Sequence, residues 1–420
     1  MAGTEFQGLQ WVTKTIGLEP TWTLEPDLEA AKQLVESISM IEAGTINMSL
    51  LAQGAFNKLC DITMSKKAEA LILRVALPVD PRYKTLSEVA TMDRMRHNTN
   101  VPVPRVLAYE ASRANPVGFE WILMAKLPGK PLADAWKSLS YPAKEGLAKR
   151  FAAYSSSLFK NQLSGIGNIY TASPPKVDWI VSMHFFWGDH IHQDVRRGPF
   201  SSSKDWMEAR LALSEHDCRS TLAKYPDRSG IDSDDEDDID DAQRTLEIIK
   251  RLVPLVGQIL PIDHLEDEPS MFFHDDLSRH NILVDDSGAL TGVVDWECVS
   301  ALPRWKACYY PSFLEGPPRD TKPDPTRYQR TAGGEPADLY WEHLMEYELT
   351  TLRMVFLGEM ARLEPGWVDV FNSSTMQRDL DLAVQNCDNE FIARRIHDWI
   401  DDVAARRSNP HSLRDRIDES

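Results

Sequence analysis

Three side chains within one short stretch have the donor types and spacing that phosphate chemistry needs. In FFHDDLSRHNILVDDSGALTGVVDWE, residues 272–297, Asp276, Asn281 and Asp295 follow one another at intervals of five and fourteen residues. Apolar runs at Ile282–Val284 and Leu290–Val294 flank Asp285, Asp286, Ser287 and Gly288, and turn chemistry between two such runs predicts an antiparallel hairpin. A hairpin brings its outer ends together, so Asn281 is expected beside Asp295. An amide oxygen next to a carboxylate offers hard oxygen ligands of the kind Mg²⁺ takes when phosphates complete its shell. Asp276, one loop upstream, is placed to accept the proton of a hydroxyl that attacks a phosphate. His274 reads as an organiser of this loop by packing and hydrogen bonding.

The pattern His-x-Asp-Leu-x-x-x-Asn, followed by a short strand pair and Asp-Trp-Glu, resembles the catalytic and metal loops of the aminoglycoside phosphotransferase superfamily, which includes choline and fructosamine kinases. Asp275 stands where protein kinases carry the Arg of His-Arg-Asp, and Trp296-Glu297 stands where they carry Phe-Gly. The resemblance therefore favours the small-molecule branch, and the chain as a whole looks like a fungal member. It implies an α+β, bilobal protein-kinase-like fold with a small β-rich N-lobe and a larger, mainly helical C-lobe. It also implies ATP and Mg²⁺ as cofactors, Asp276 as the catalytic base, and Asn281 and Asp295 as metal ligands.

The nucleotide half of such a site carries weaker signals. Residues 51–58, LAQGAFNK, sit between two strand-like runs, and the resemblance makes Gly54, Phe56 and Asn57 the phosphate-covering loop. A single glycine is far from a Gly-x-Gly-x-x-Gly loop, and no Gly-x-x-x-x-Gly-Lys-Ser/Thr is present, which argues against a P-loop enzyme. Arg74 in the run Leu71–Val75 occupies the place where the family's strand lysine is expected, with Glu88 as its helix partner. Arg is not an innocent substitute, because its planar fork reaches carboxylates and phosphates differently. Met124, Ala125 and Leu127 read as the hinge where main-chain groups would meet adenine.

Positioning these residues requires a definite order of elements. Residues 1–45 are expected as an N-terminal extension holding a helix at Leu28–Ile38. Residues 46–125 read as the N-lobe, with strands at Met48–Leu51, Lys58–Thr63, Ala70–Val75, Val106–Tyr109 and Glu120–Met124 around a helix at Thr85–Arg96. Residues 126–405 read as the C-lobe, with amphipathic helices at Pro142–Asn161, Trp206–Leu222, Ala242–Leu260, Tyr340–Leu363 and Met376–Ala405, and 406–420 as a tail. The last helix is expected to bury a stripe that includes Leu380, Val384, Phe391 and Trp399. The Asp-rich stretch 227–241 is expected to be a disordered surface insertion, and 316–338 a surface loop.

Bulk properties narrow the partners. A net charge of −18 disfavours nucleic acid, although eight acids in Asp232–Asp241 account for much of it and leave −10 for the rest. No apolar run is long enough to span a bilayer, and the acidic N-terminus lacks a secretory or mitochondrial leader, so the cytoplasm is the expected compartment. Five scattered cysteines suit reduced thiols. His184, His190 and His192 lack the regular third ligand of a metal cluster and read as part of an aromatic-rich packing or acceptor segment. The sequence thus points to an ATP- and Mg²⁺-dependent kinase acting on a small-molecule hydroxyl acceptor, as monomer or homodimer. The rival is a nucleotide-binding scaffold without turnover.

Overall fold

The computed structural model describes residues 4–14, 17–40, 44, 46–64, 67–226, 232–262, 266–331, 333–405 and 411–418. A hairpin of β1 (Leu9–Lys14) and β2 (Gly17–Trp22) comes first, followed by α1 (Leu28–Ser39). Five antiparallel strands then form one sheet: β3 (Ile46–Gln53), β4 (Asn57–Met64), β5 (Lys67–Ala76), β6 (Val106–Glu110) and β7 (Glu120–Ala125), in the order β3-β4-β5-β7-β6. Between β5 and β6 runs α2 (Tyr83–Asn98).

The alternation of the strands decides which residues meet the cleft. Side chains on a strand alternate faces, so Leu71, Leu73 and Val75 turn one way and Ile72 and Arg74 the other. The first set packs with Ala31 and Val35 of α1, Cys60, Ile62 and Leu123 in the small-lobe core. Ile72 instead joins Ile122 and Met124 in the large core that runs into the second lobe.

The second lobe is mainly helical. Its long helices are α3 (Tyr141–Lys160), α4 (Ser203–Lys224), α5 (Ser233–Ile259), α6 (Asp338–Leu363), α7 (Pro365–Ser373), α8 (Thr375–Gln385) and α9 (Glu390–Ala404). Set among them, β8 (Pro269–Phe273) pairs with β11 (Ser300–Pro303), while β9 (Ile282–Val284) pairs with β10 (Leu290–Val293). The architecture is thus α+β and bilobal, a small β-rich lobe beside a larger helical one, as the sequence implied.

Three expectations need correction. The Asp-rich stretch is not a disordered insertion from residue 232 onward, and 227–231 lie outside the described residues. Asp232 caps α5 by accepting from the N–H groups of Asp234 (3.1 Å) and Asp235 (3.0 Å), and Asp235 reciprocates. Acids at a helix N-terminus satisfy its free N–H groups and meet the positive end of its dipole, so high charge density here favours order. The buried Ile239, Ala242, Thr245, Ile248 and Leu252 then hold the helix to the lobe. Second, the expected helix Met376–Ala405 is broken into α8 and α9, the latter capped by the Asn389 side chain on the Phe391 N–H at 3.0 Å. That break turns Phe391 out of the expected stripe, and it is 81 % exposed.

Third, the N-terminal extension holds a hairpin that no sequence signal gave. It lies against both lobes, with Trp22 against Phe119 of the small lobe (5.1 Å between ring centroids) and Trp11 against Trp187 of the large one (5.0 Å). Gly8 leads into it at φ +100°, where an added Cβ would come within 2.8 Å of the Phe119 ring. The close packing of this strap therefore requires glycine there.

Candidate active site

The catalytic segment is ordered by its own turn. Asp285 accepts hydrogen bonds from the Ser287 and Ala289 N–H groups, both at 2.9 Å, and thereby closes the β9–β10 hairpin. At the open end the Val294 N–H donates to the Asn281 carbonyl at 2.9 Å, which sets Asn281 beside Asp295. The Asn281 amide donates to the Asp276 carboxylate at 2.8 Å and to the Asp276 carbonyl at 2.9 Å. Trp296 is buried, donates from Nε1 to the Val293 carbonyl at 2.9 Å, and meets the His274 ring at 5.3 Å, so His274 packs under the loop as expected. Asp295 takes φ +62° and Cys298 φ +58°. Non-glycine residues in this left-handed region cost about 1–2 kcal/mol each, and the two lie on either side of Trp296 and Glu297.

Asp295 also faces the small lobe. Burial pushes its carboxyl above the ordinary range, Arg74 pulls it back, and Glu297 adds to the rise. Arg74 lies 3.3 Å from Asp295 and 2.6 Å from Glu297, and pairs closely with Glu88. All of its charge is thus met by carboxylates. Lys84 is buried beside it, 2.5 Å from Glu297, and donates to the Asn57 side-chain amide oxygen at 3.0 Å. Burial alone would raise the Glu297 carboxyl, but Lys84 and Arg74 together hold it down at about 2.

The loop expected to cover phosphates closes between β3 and β4 with the Gly54 N–H donating to the Asn57 main-chain carbonyl at 2.9 Å. A Cβ on Gly54 would meet nothing within 4 Å, so the chain's own packing does not require glycine. Phe56 is buried, with its ring 5.5 Å from Phe186 and 6.1 Å from Trp187, which seats the loop tip on the large lobe.

The hinge residues are placed less simply. Met124 points into the inter-lobe core, and Leu127 packs over Gly292, whose added Cβ would come within 2.6 Å of it. The Ala125 N–H already donates to the Arg105 carbonyl at 2.9 Å and the Lys126 N–H to the Ala70 carbonyl at 2.9 Å. Those two donors are engaged within the protein, so an adenine-reading N–H at Ala125 does not follow from this geometry.

Sequence reasoning missed Lys84 and the part played by Glu297. The available signal was spacing: Lys84 lies one helical turn before Glu88 and so shares its face. Glu297 was inside the recognised motif but carried no role there.

A cavity of about 430 Å³ opens beside the catalytic segment, with Trp187, His190, Arg210, Asp275, Cys298 and Lys306 among its walls. His184 is held neutral, its pKa lowered to about 3 by burial and by Arg210. His190 shifts upward against its burial because Asp217 lies 2.5 Å from its Nε2. Both histidines line this cavity, and among the described residues no three His, Cys, Asp or Glu side chains gather to hold a metal ion. Asn281 and Asp295 carry hard oxygen donors of the kind Mg²⁺ takes, and two such donors would need a ligand's oxygens to complete its shell.

The profile of the Phosphotransferase enzyme family matches residues 61–305. A subtelomeric hrmA-associated cluster protein of Aspergillus fumigatus is 27 % identical over 315 residues, 64 % of this chain and 60 % of that protein. The chain thus matches somewhat less than two thirds of that relative's length. The clavilactone A biosynthesis cluster protein Y of Ampulloclitocybe clavipes is 25 % identical over 302 residues, 70 % of each chain. Among solved structures, aminoglycoside phosphotransferase APH(4)-Ia aligns over 91 % of this chain and 100 % of its own at 14 % identity and a TM-score of 0.43.

Proposed function

The chain belongs to the phosphotransferase enzyme family, and on that premise we propose that it transfers the γ-phosphate of ATP, with Mg²⁺, to a hydroxyl of a small molecule. The observation that carries this reading is the Asn281 amide donating to the Asp276 carboxylate at 2.8 Å. That bond orients an exposed base while leaving the amide oxygen beside Asp295 for a cation. In the proposed reaction the acceptor oxygen bonds to the γ-phosphorus, the bond to the β–γ bridging oxygen breaks, and the hydroxyl proton passes to Asp276 as ADP leaves. Bound Mg²⁺ would supply charge neutralisation on the triphosphate. Asn281 and Asp295 would hold it, and the main chain of Gly54, Phe56 and Asn57 would cover the phosphates. Arg74, paired with Glu88, would set the electrostatics of their inner side. Met124, Ala125 and Leu127 would border the base. The acceptor would occupy the cavity beside Asp275.

An ATP-consumption screen across amino alcohols, sugars, aminoglycosides and fungal metabolites tests this, with Asp276→Asn as the blank. Acceptor-dependent turnover lost in that variant is the expected result, and turnover equal to wild type would remove Asp276 from its role. The rival reading, a nucleotide-binding scaffold, draws on the three carboxylates that already neutralise Arg74. Mg²⁺-dependent ATP binding without turnover on any acceptor would favour it. Among the described residues no helix is long and apolar enough to cross a membrane. The cytoplasm is our proposed compartment, while the matched relatives include a Debaryomyces hansenii protein named as mitochondrial.

A further inference from the structure

Lys84 lies outside every recognised motif, yet its side chain is only 2 % exposed. Taking an ammonium out of water costs several kcal/mol unless partners compensate, so a buried lysine asks for an explanation. Its partners come from two separate segments. One is Glu297, two residues beyond Asp295, at 2.5 Å, and the other is Asn57, the last residue of the phosphate loop, at 3.0 Å. Asn57 completes the triangle by donating its own amide to Glu297 at 2.9 Å. Three side chains from the loop, the first turn of α2 and the metal loop thus close one ring.

Lys84 shares the neutralising of Glu297 with Arg74, which lies 2.6 Å from the same carboxylate. What Lys84 adds is a tie to the phosphate loop. Arg74 stands on β5 and makes no such link in the contacts described above. A metal-bound triphosphate must lie under the loop and reach Asp295 at the same time, so the separation of these two segments sets how well it fits. Holding reacting groups at a fixed separation before the ligand arrives is where positioning residues contribute most.

We propose that Lys84 is a positioning residue of the nucleotide site, fixing the phosphate loop to the metal loop through Asn57 and Glu297. This inference rests on the phosphotransferase reading above and adds a residue to it. Lys84 touches neither phosphate nor acceptor in this role. Asn57 then acts by holding the loop, since both ends of its amide are engaged by Lys84 and Glu297.

The test is calorimetric titration of the full chain with Mg-ATP, for wild type, Lys84→Met, Asn57→Ala and the double variant, with Tm recorded for each. Loss of a partner that orients a metal or phosphate site weakens binding about 10–100-fold. Each single variant is expected to show a loss of that size, and the double variant is expected to bind no more weakly than the worse single one, since both break one tie. Asn57→Ala leaves every ion pair in place and is expected to lower Tm less than Lys84→Met does, which separates lost positioning from lost folding. Binding of Mg-ATP by Asn57→Ala within twofold of wild type would overturn the proposal, as would losses that multiply in the double variant. A wild-type chain that binds no Mg-ATP would overturn the phosphotransferase reading itself, and this inference with it.

Discussion

The two halves of the site are built on opposite principles. On the nucleotide side, Arg74, Lys84, Glu88 and Asn57 are all less than a tenth exposed, and Arg74, Lys84 and Asn57 each reach Glu297 across the lobe boundary. On the transfer side, Asp276 is open and is held by a neighbour only five residues away. The first half depends on the whole fold to exist, while the second depends on one hairpin. Function placed on a local turn can therefore be destroyed without disturbing the protein, and function placed in a buried ionic cluster cannot.

The largest effect expected from this contrast is on turnover. Asp276→Asn removes the base and keeps a side chain that can still pair with Asn281. General-base loss costs about 10²–10⁴ in rate. The expected result is a turnover number lower by that factor with Tm unchanged, read from initial rates and a thermal melt on the same preparation. A Tm that falls together with the rate would show that the transfer half is not independent of the fold.

On the buried side the same kind of change should act on stability first. Glu88→Ala leaves Arg74 with two carboxylates in place of three, in a region closed to water. Breaking a buried pair by removing one partner costs about 3–5 kcal/mol, and the remaining carboxylates favour the low end of that range. Urea unfolding should therefore show a midpoint well below that of wild type. An unmoved midpoint would dissolve the distinction between the halves.

The same contrast explains how much of the molecule could be read in advance. The catalytic hairpin was legible because its strands, turn and donors lie within twenty-six consecutive residues and follow local rules. The sheet of the small lobe was legible for the same reason, since its strands alternate with period two. The ring of Asn57, Lys84 and Glu297 joins residues 240 positions apart at its widest, and nothing local marks them. The N-terminal hairpin escaped because its apolar residues, such as Trp11 and Trp22, are too few to show a period and find their partners on distant segments. The acidic start of α5 was misread because composition counts charges without asking where on a helix they fall.

A pH-dependent effect should come from an acid within the buried half that has no good partner. Asp80 is 3 % exposed, and one of its carboxylate oxygens makes no hydrogen bond. Burial pushes its carboxyl up to about 7, Arg197 opposes the rise, and Glu120 adds to it. A folded-state pKa above the unfolded one means that folding favours the protonated acid. Its stabilising contribution is thus full below pH 4 and is lost as pH rises through about 7. Asp80→Asn should remove that loss, leaving stability near wild type below pH 4 and raising it at pH 8 by up to about 4 kcal/mol, read as a higher Tm. A variant that melts no higher than wild type at pH 8 would mean that Arg197 already compensates the charge.

The smallest effect belongs to the hairpin turn itself and has the opposite pH dependence. Asp285 is exposed, and its carboxyl is depressed by hydrogen bonds from Ser287, its side-chain hydroxyl first, and from the Ala289 N–H. A depressed pKa contributes stability that is present above the unfolded value of 3.8 and is lost as pH falls through the folded one. Asp285→Asn keeps an acceptor for those donors and removes only the charge. Its Tm should fall slightly at neutral pH, by less than the shift at Asp80, and the gap from wild type should close in strong acid. Turnover should follow the turn rather than the melt, because the β9–β10 register carries Asn281 and Asp295 to their places. A loss of rate larger than the loss of Tm would sharpen the contrast, since it would show that the open half is tuned by local geometry alone.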